Sequence, residues 1–128
     1  MKLATNIVAG LLGLAFIAFA LLFFFGPVPP MPPEDSLPGK FFAAFGPTGY
    51  MHFVKVLELL GGALTAIPKT RNLGLLILGP IIVNILCFHG FVMKGVGLFS
   101  PVLIVIVLAA LFLLWSERRA FAGLVNRS

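Results

Sequence analysis

Between Ile7 and Phe25 the chain carries no charge, and three further apolar runs follow: Tyr50 to Ile67, Leu73 to Phe88 and Leu98 to Trp115. A helix needs about 20 apolar residues, within a range of roughly 17–25, to cross the hydrocarbon core of a bilayer. Runs of that length leave little room for any other architecture. The expectation is an all-α chain, a transmembrane four-helix bundle with spans at about residues 5–26, 50–68, 72–91 and 98–116. Residues 1–128 then form a single membrane domain.

Composition agrees with lipid as the main solvent. The chain is 60% hydrophobic and 10% charged, with a mean hydropathy of +1.13, whereas a soluble domain carries about 25% charged residues. The sequence pI near 10.0 does not imply nucleic acid, because the few basic residues sit between apolar runs and form no basic stripe with interleaved aromatics. Cys87 is the single cysteine, which excludes an internal disulfide and a paired-cysteine redox centre. It reads as a small inert apolar side chain.

Local signals place the boundaries. Gly26-Pro27-Val28-Pro29-Pro30 stops the first helix, since proline lacks a backbone donor and blocks continuation. The first run is too long, and its leading segment too weakly charged, for a cleaved signal peptide. Pro68-Lys69-Thr70-Arg71-Asn72 is a short polar connection, so the second and third helices are antiparallel neighbours. Ser100-Pro101 is an N-cap followed by proline at the first helical position. Between the first two spans lies a long loop whose start, Pro27 to Pro33, favours polyproline geometry. Lys40-Phe41-Phe42-Ala43-Ala44-Phe45 reads either as a short interfacial helix or as plain connecting loop.

Lysine and arginine counts orient the bundle. With the N-terminus inside, Lys2, Lys69, Arg71, Arg118, Arg119 and Arg127 are cytoplasmic, against Lys40 and Lys94 outside. Both termini are therefore expected in the cytoplasm; the family resemblance described below implies a bacterial cytoplasmic (inner) membrane.

Ionisable residues inside a span are costly and point to function. Here they concentrate in the second helix as His52, Lys55 and Glu58. The eight Leu, Ile, Val and Phe residues of that run contribute roughly −2 to −5 kcal/mol to insertion, while two central charges cost about +5 to +7. Relief must come from pairing, snorkelling or neighbouring helices. Lys55 and Glu58 are three apart and share a face, and Met51, Lys55, Glu58, Gly62 and Thr65 form one stripe expected to face the interior. Glu58 lies about 12 Å from the outer end of its helix at 1.5 Å per residue. Asn84 on the antiparallel third helix reaches that depth, which predicts a buried polar cluster of Lys55, Glu58 and Asn84. Cys87 similarly matches Lys55, and His89 matches His52.

Pro80 is expected to bend the third helix, and Gly61, Gly62, Gly74 and Gly79 to let backbones approach closely. His52 and His89 are outer-side contributors, but His89 lies about 140° around its helix from Asn84, which argues against a shared haem. Ligands for a metal are too sparse and wrongly spaced.

The pattern Lys55-x-x-Glu58-x-x-Gly61-Gly62, the basic turn Pro68-Lys69-Thr70-Arg71, and Pro80-x-x-x-Asn84-x-x-x-Phe88-His89 resemble the DoxX-like family of small four-span bacterial membrane proteins. The resemblance is strongest over this central hairpin. It implies Lys55, Glu58, Gly62, Pro80, Asn84 and His89 as family-pattern positions. Some members are linked to oxidoreductase assemblies, including thiosulfate–quinone oxidoreduction and, in mycobacteria, a complex with superoxide dismutase and a sulfurtransferase, while most have no assigned activity. In the first helix, where members often carry polar or basic residues, this chain has only Thr5 and Asn6.

The leading functional expectation is an accessory or scaffold subunit of a larger redox or energy-transducing membrane complex. Such a subunit has no chemistry of its own, binds no cofactor directly, and has lipid, other subunits or a second copy of itself as partners. The alternatives are a quinone-linked oxidoreductase component using Lys55, Glu58 and Asn84, and a small-solute or proton transporter using the same cluster.

Overall fold

A computed structural model describes residues 2–126, so Arg127 of the charge count lies outside the described residues. Every regular element among them is helical: α1 (Lys2–Phe25), α2 (Leu37–Phe45), α3 (Tyr50–Ala66), α4 (Arg71–Cys87), α5 (Pro101–Ser116) and α6 (Arg118–Val125). A 3₁₀ turn (Pro68–Thr70) precedes α4 and a π-helical turn (Phe88–Val92) follows it. The chain is thus all-α.

Among the described residues, two helical stretches are long and apolar enough to cross a membrane, α1 and the unit Pro68–Val92. A third qualifies if α5 and α6, bent by 74° at their junction, count as one span. The 17 residues of α3 sit at the short end of the spanning range.

The ends of the helices follow from their residues. Gly26 closes α1 with a bond to Leu22 O (2.8 Å), and Pro27 cannot continue it. Ser36 caps α2 by accepting from Gly39 N (3.1 Å). The loop thus forms a helix, as one of the two readings had it, starting three residues earlier than Lys40. Thr48 bridges α2 to α3, donating to Phe45 O (2.7 Å) and accepting from Tyr50 N (3.1 Å). Ile67 is extended (φ −88, ψ 121), as the residue before a proline prefers. The fourth long helix begins at Pro101, capped by an extended Ser100 (φ −60, ψ 145), where the Ser100-Pro101 pair placed it. The segment before it turns through Lys94, Gly95 and Gly97, with φ of 54, 90 and 81.

Side-chain contacts fix the layout. Phe23 meets His52 and Gly13 meets Gly62, so α1 and α3 are antiparallel. Gly61 meets Leu78 and Gly74 meets Thr65, so α3 and α4 are antiparallel as well. Thr5 donates to Ser116 Oγ (3.3 Å), setting α5 against α1. The four long helices alternate in direction, with α2 lying against the π turn at one end. The core forms where Leu12 and Phe16 of α1 meet Leu75, Leu78 and Ile82 of α4 and Leu113 of α5.

The core is apolar, yet Glu58, Thr65 and Arg71 are buried too, while Leu11, Leu22, Phe53, Val83, Val105 and Leu108 are exposed. So extensive an exposed apolar surface marks contact with lipid or with other protein.

Glycine sets the helix spacing on both sides of α3. A Cβ on Gly62 would come within 2.7 Å of Gly13 O on α1, and one on Gly61 within 2.9 Å of Leu78 Cδ2 on α4. Gly74 is as tight, its missing Cβ facing Thr65. Gly79, expected to join this seam, faces open space instead, because the α3 contact follows Gly74 and Leu78. Pro80 is exposed and lies inside an otherwise continuous α4. Gly62→Ala should therefore destabilise the detergent-solubilised protein by about 1–3 kcal/mol through overpacking. Gly10→Ala, where a Cβ meets nothing within 4 Å, should leave the thermal midpoint unchanged; equal midpoints for the two variants would refute the seam.

Candidate ligand cavity

The sequence stripe on α3 faces inward. Glu58, Gly61, Gly62 and Thr65 are buried, and Met51 and Lys55 are half-buried. Lys55 Nζ lies 3.3 Å from Glu58 Oε1, within hydrogen-bonding reach, one helical turn apart as expected. The side chain of Glu58 is 5% exposed and that of Lys55 20%. Lys55 also stands 5.7 Å over the ring of Phe23, a cation–π contact that offsets part of its desolvation.

This pair opens into a cavity of about 440 Å³ between α2, α3, α4 and the π turn. Its polar wall is Lys55, Glu58, Asn84 and His89, and its apolar wall includes Val54, Ile81, Ile85, Phe41, Phe42 and Phe88. Phe41 of α2 packs edge-on to Phe88 (5.0 Å), closing one end. Apolar walls with a few convergent polar groups are the usual form of a small-molecule site.

Asn84 is brought to the cavity, but the buried cluster of Lys55, Glu58 and Asn84 is not formed. Asn84 is exposed and makes no hydrogen bond to the pair among the described residues. The cause lies on α4, where Leu78 and Ile81 take the buried face, leaving Asn84 on the wall beside them.

The two histidines part company. His52 is exposed and packs against Phe23 and Phe24 (5.1 and 5.9 Å), away from the cavity. His89 lines it, with Nδ1 2.8 Å from Ile85 O; the Nδ1–H tautomer that donates to this carbonyl leaves Nε2 as an acceptor. A uniform helix would carry His89 well away from Asn84, yet both line one cavity. His89 lies in the π turn, where Met93 N bonds Phe88 O (2.9 Å) across five residues, a wider turn of the kind often found at functional sites. No group of three metal-ligating side chains occurs among the described residues.

Sequence reasoning missed Arg71. Counted as a loop charge, it is the first residue of α4 and only 4% exposed. Its Nε donates to Thr65 O (3.0 Å) and its Nη1 to Asn6 Oδ1 (3.1 Å). The available signal was Asn6, an amide inside an apolar run that requires a partner.

Comparison with known proteins gives one relative of note. The chain is 38% identical over 101 residues to uncharacterized protein YwoB of Bacillus subtilis (strain 168), an alignment covering 75% of this chain and 64% of that protein. The chain thus spans 64% of the relative's length. No family model matches it, and no solved structure does.

Removing one partner of a buried ion pair strands the other charge, at a cost of about 3–5 kcal/mol when both are fully buried. Lys55→Met should cost somewhat less than that, because Lys55 is partly exposed, and Lys55→Met with Glu58→Leu should recover most of the loss. Thermal unfolding in one detergent measures this cycle, and additive losses would show that the pair is not coupled.

Proposed function

We propose that this chain is a four-span integral membrane protein whose cavity beside Lys55 and Glu58 holds a lipophilic, hydrogen-bonding ligand of the quinone class. It does so as a membrane subunit of a larger redox complex. The observation that carries this reading is an ion pair, its carboxylate buried and its ammonium half-buried, that opens into an aromatic-walled cavity of about 440 Å³. A quinone ring needs apolar walls for its faces and polar groups at its carbonyl edges. Phe41, Phe42, Phe88 and Ile85 supply the first; Lys55, Asn84 and His89 supply the second. Glu58, held by Lys55, is a carboxyl placed to exchange a proton with a bound head group.

In this reading α1, α3, α4 and α5 are the four spans, and their alternating directions gather Lys2, Arg71 and Arg118 at one end of the bundle. That clustering supports N-in, C-in topology in a bacterial cytoplasmic membrane by the positive-inside rule. The Lys-x-x-Glu-x-x-Gly-Gly hairpin and its inward-facing ion pair support kinship with DoxX-like proteins. The cavity favours a ligand-holding subunit over a scaffold without chemistry.

In lipid nanodiscs, a short-chain quinone should bind the protein saturably. Ile85→Trp, which fills the cavity, should weaken that binding at least about tenfold, the equivalent of 1.4 kcal/mol. Glu58→Gln should slow proton-coupled quinone reduction in native membranes. Non-saturable partitioning, identical in wild type and Ile85→Trp, would remove the reading.

A second reading, association with other membrane subunits or a second copy, is favoured by α5. It packs mainly on α1 and little on α4, leaving Val102, Val105, Leu108 and Leu111 exposed along one side. Mild-detergent purification at native expression should recover stoichiometric companions or a dimer. A lone monomer would argue against it.

A further inference from the structure

At the opposite end from the quinone cavity, the first turn of α1, the start of α4 and the α5–α6 corner enclose a second cavity of about 470 Å³. Its charged lining consists of Lys2, Arg71, Arg118 and Glu117, three cations against one carboxylate. Asn6 and Trp115 complete the part that matters here. The proposed function makes no use of this cavity.

Arg71 is the group that demands an explanation. It is 4% exposed, and its partners are both neutral, Thr65 O and Asn6 Oδ1. Its Nη2 is buried and has no hydrogen-bond partner. The Lys55–Glu58 pair is the ion pair found among the described residues, so Glu117, although on the same cavity wall, does not neutralise Arg71. A buried charge is tolerated when it is paired. Here the chain supplies two neutral acceptors and leaves both a donor and the charge unanswered.

Arg118 cannot supply the deficit. It stacks on Trp115 at 4.4 Å and donates to Trp115 O (2.8 Å), which fixes a second cation at the mouth of the same cavity. Guanidinium groups prefer oxyanions, which they bind through two parallel N–H bonds. The Nε and Nη1 of Arg71 are already spent on the fold, which leaves Nη2 for a ligand.

We propose that this cavity is an oxyanion site in which Arg71 holds a phosphate-class group, with Lys2 and Arg118 as flanking cations. That chemistry can come from an anionic phospholipid headgroup of the adjacent leaflet or from a free phosphate. The cavity leaves space beyond the oxyanion for the glycerol of a headgroup, since one water needs only about 10–15 Å³. Nη2 is now covered, so binding requires a small shift of the side chains around it.

The test uses the full chain in neutral phosphatidylcholine nanodiscs, titrated with inorganic phosphate, and in nanodiscs containing phosphatidylglycerol, read by thermal unfolding. Native mass spectrometry of the detergent-purified protein reads retained lipid. Stabilisation by phosphatidylglycerol with lipid retained and no response to phosphate assigns a headgroup; saturable stabilisation by phosphate assigns a free oxyanion. Arg71→Gln should abolish either response. Because that variant also loses structural bonds, two others keep the test independent of folding. Lys2→Gln with Arg118→Gln should weaken the response, and Glu117→Gln, which removes the one carboxylate, should strengthen it about threefold, the scale of a partly exposed charge. No stabilisation by either anion source in the wild type, or responses unchanged in all variants, would overturn the proposal.

Discussion

The rest of the structure depends on how closely α3 can approach its two neighbours. In an apolar solvent helices gain nothing from hiding apolar surface, so association rests on van der Waals contact and on polar bonds between helices. Helix α3 provides the first by having no side chain at Gly61 and Gly62, which lets α4 and α1 close in on adjacent faces about 100° apart. The partner helices answer with Gly74 and Gly13. Only with three helices at this spacing does a carboxylate on α3 lie inside protein. Polar bonds then supply the second contribution: Lys55 to Glu58 toward one end, and Arg71 to Thr65 O and Asn6 toward the other.

The same seam separates the two cavities. Between the ion pair and Arg71 the interior is filled by Phe16, Leu78 and Thr65, all fully buried. The molecule therefore has a closely packed middle and an opening at each end. One opening is mostly aromatic and holds a single internally compensated ion pair. The other has an excess of positive charge. That asymmetry follows from where the chain turns: α2 and the π turn deliver phenylalanines to one end, and the short Pro68–Thr70 connection and the α5–α6 corner deliver cations to the other.

Much of the fold was legible in the sequence because its strongest signals are local. Apolar run length located the four long helices, proline and serine marked their ends, and three-residue spacing gave the Lys55–Glu58 pair. What was not legible required either backbone conformation or three-dimensional neighbours. The π turn has no distinctive residue pattern, so the lining of one cavity by both His89 and Asn84 could not be read from a uniform rotation of about 100° per residue. Asn84 was placed at the right depth, but its exposure depends on Leu78 and Ile81 taking the buried face of α4. Arg71 looked like a loop charge because its acceptor on α1, Asn6, is 65 residues away in sequence. Helix α6 was missed because eight residues starting with Arg118-Arg119 resemble a charged tail more than a helix, although Phe121 returns to the core.

The unequal helix lengths have a further consequence. At 1.5 Å per residue, the 24 residues of α1 extend about 36 Å and the 17 of α3 about 25 Å, on either side of a hydrocarbon core of about 30 Å. Two helices bound along a glycine seam cannot tilt independently to correct this. If both helices cross one bilayer they must share a single tilt, so the longer α1 sets how far its polar first turn, Lys2 to Asn6, stands out beyond the end of α3.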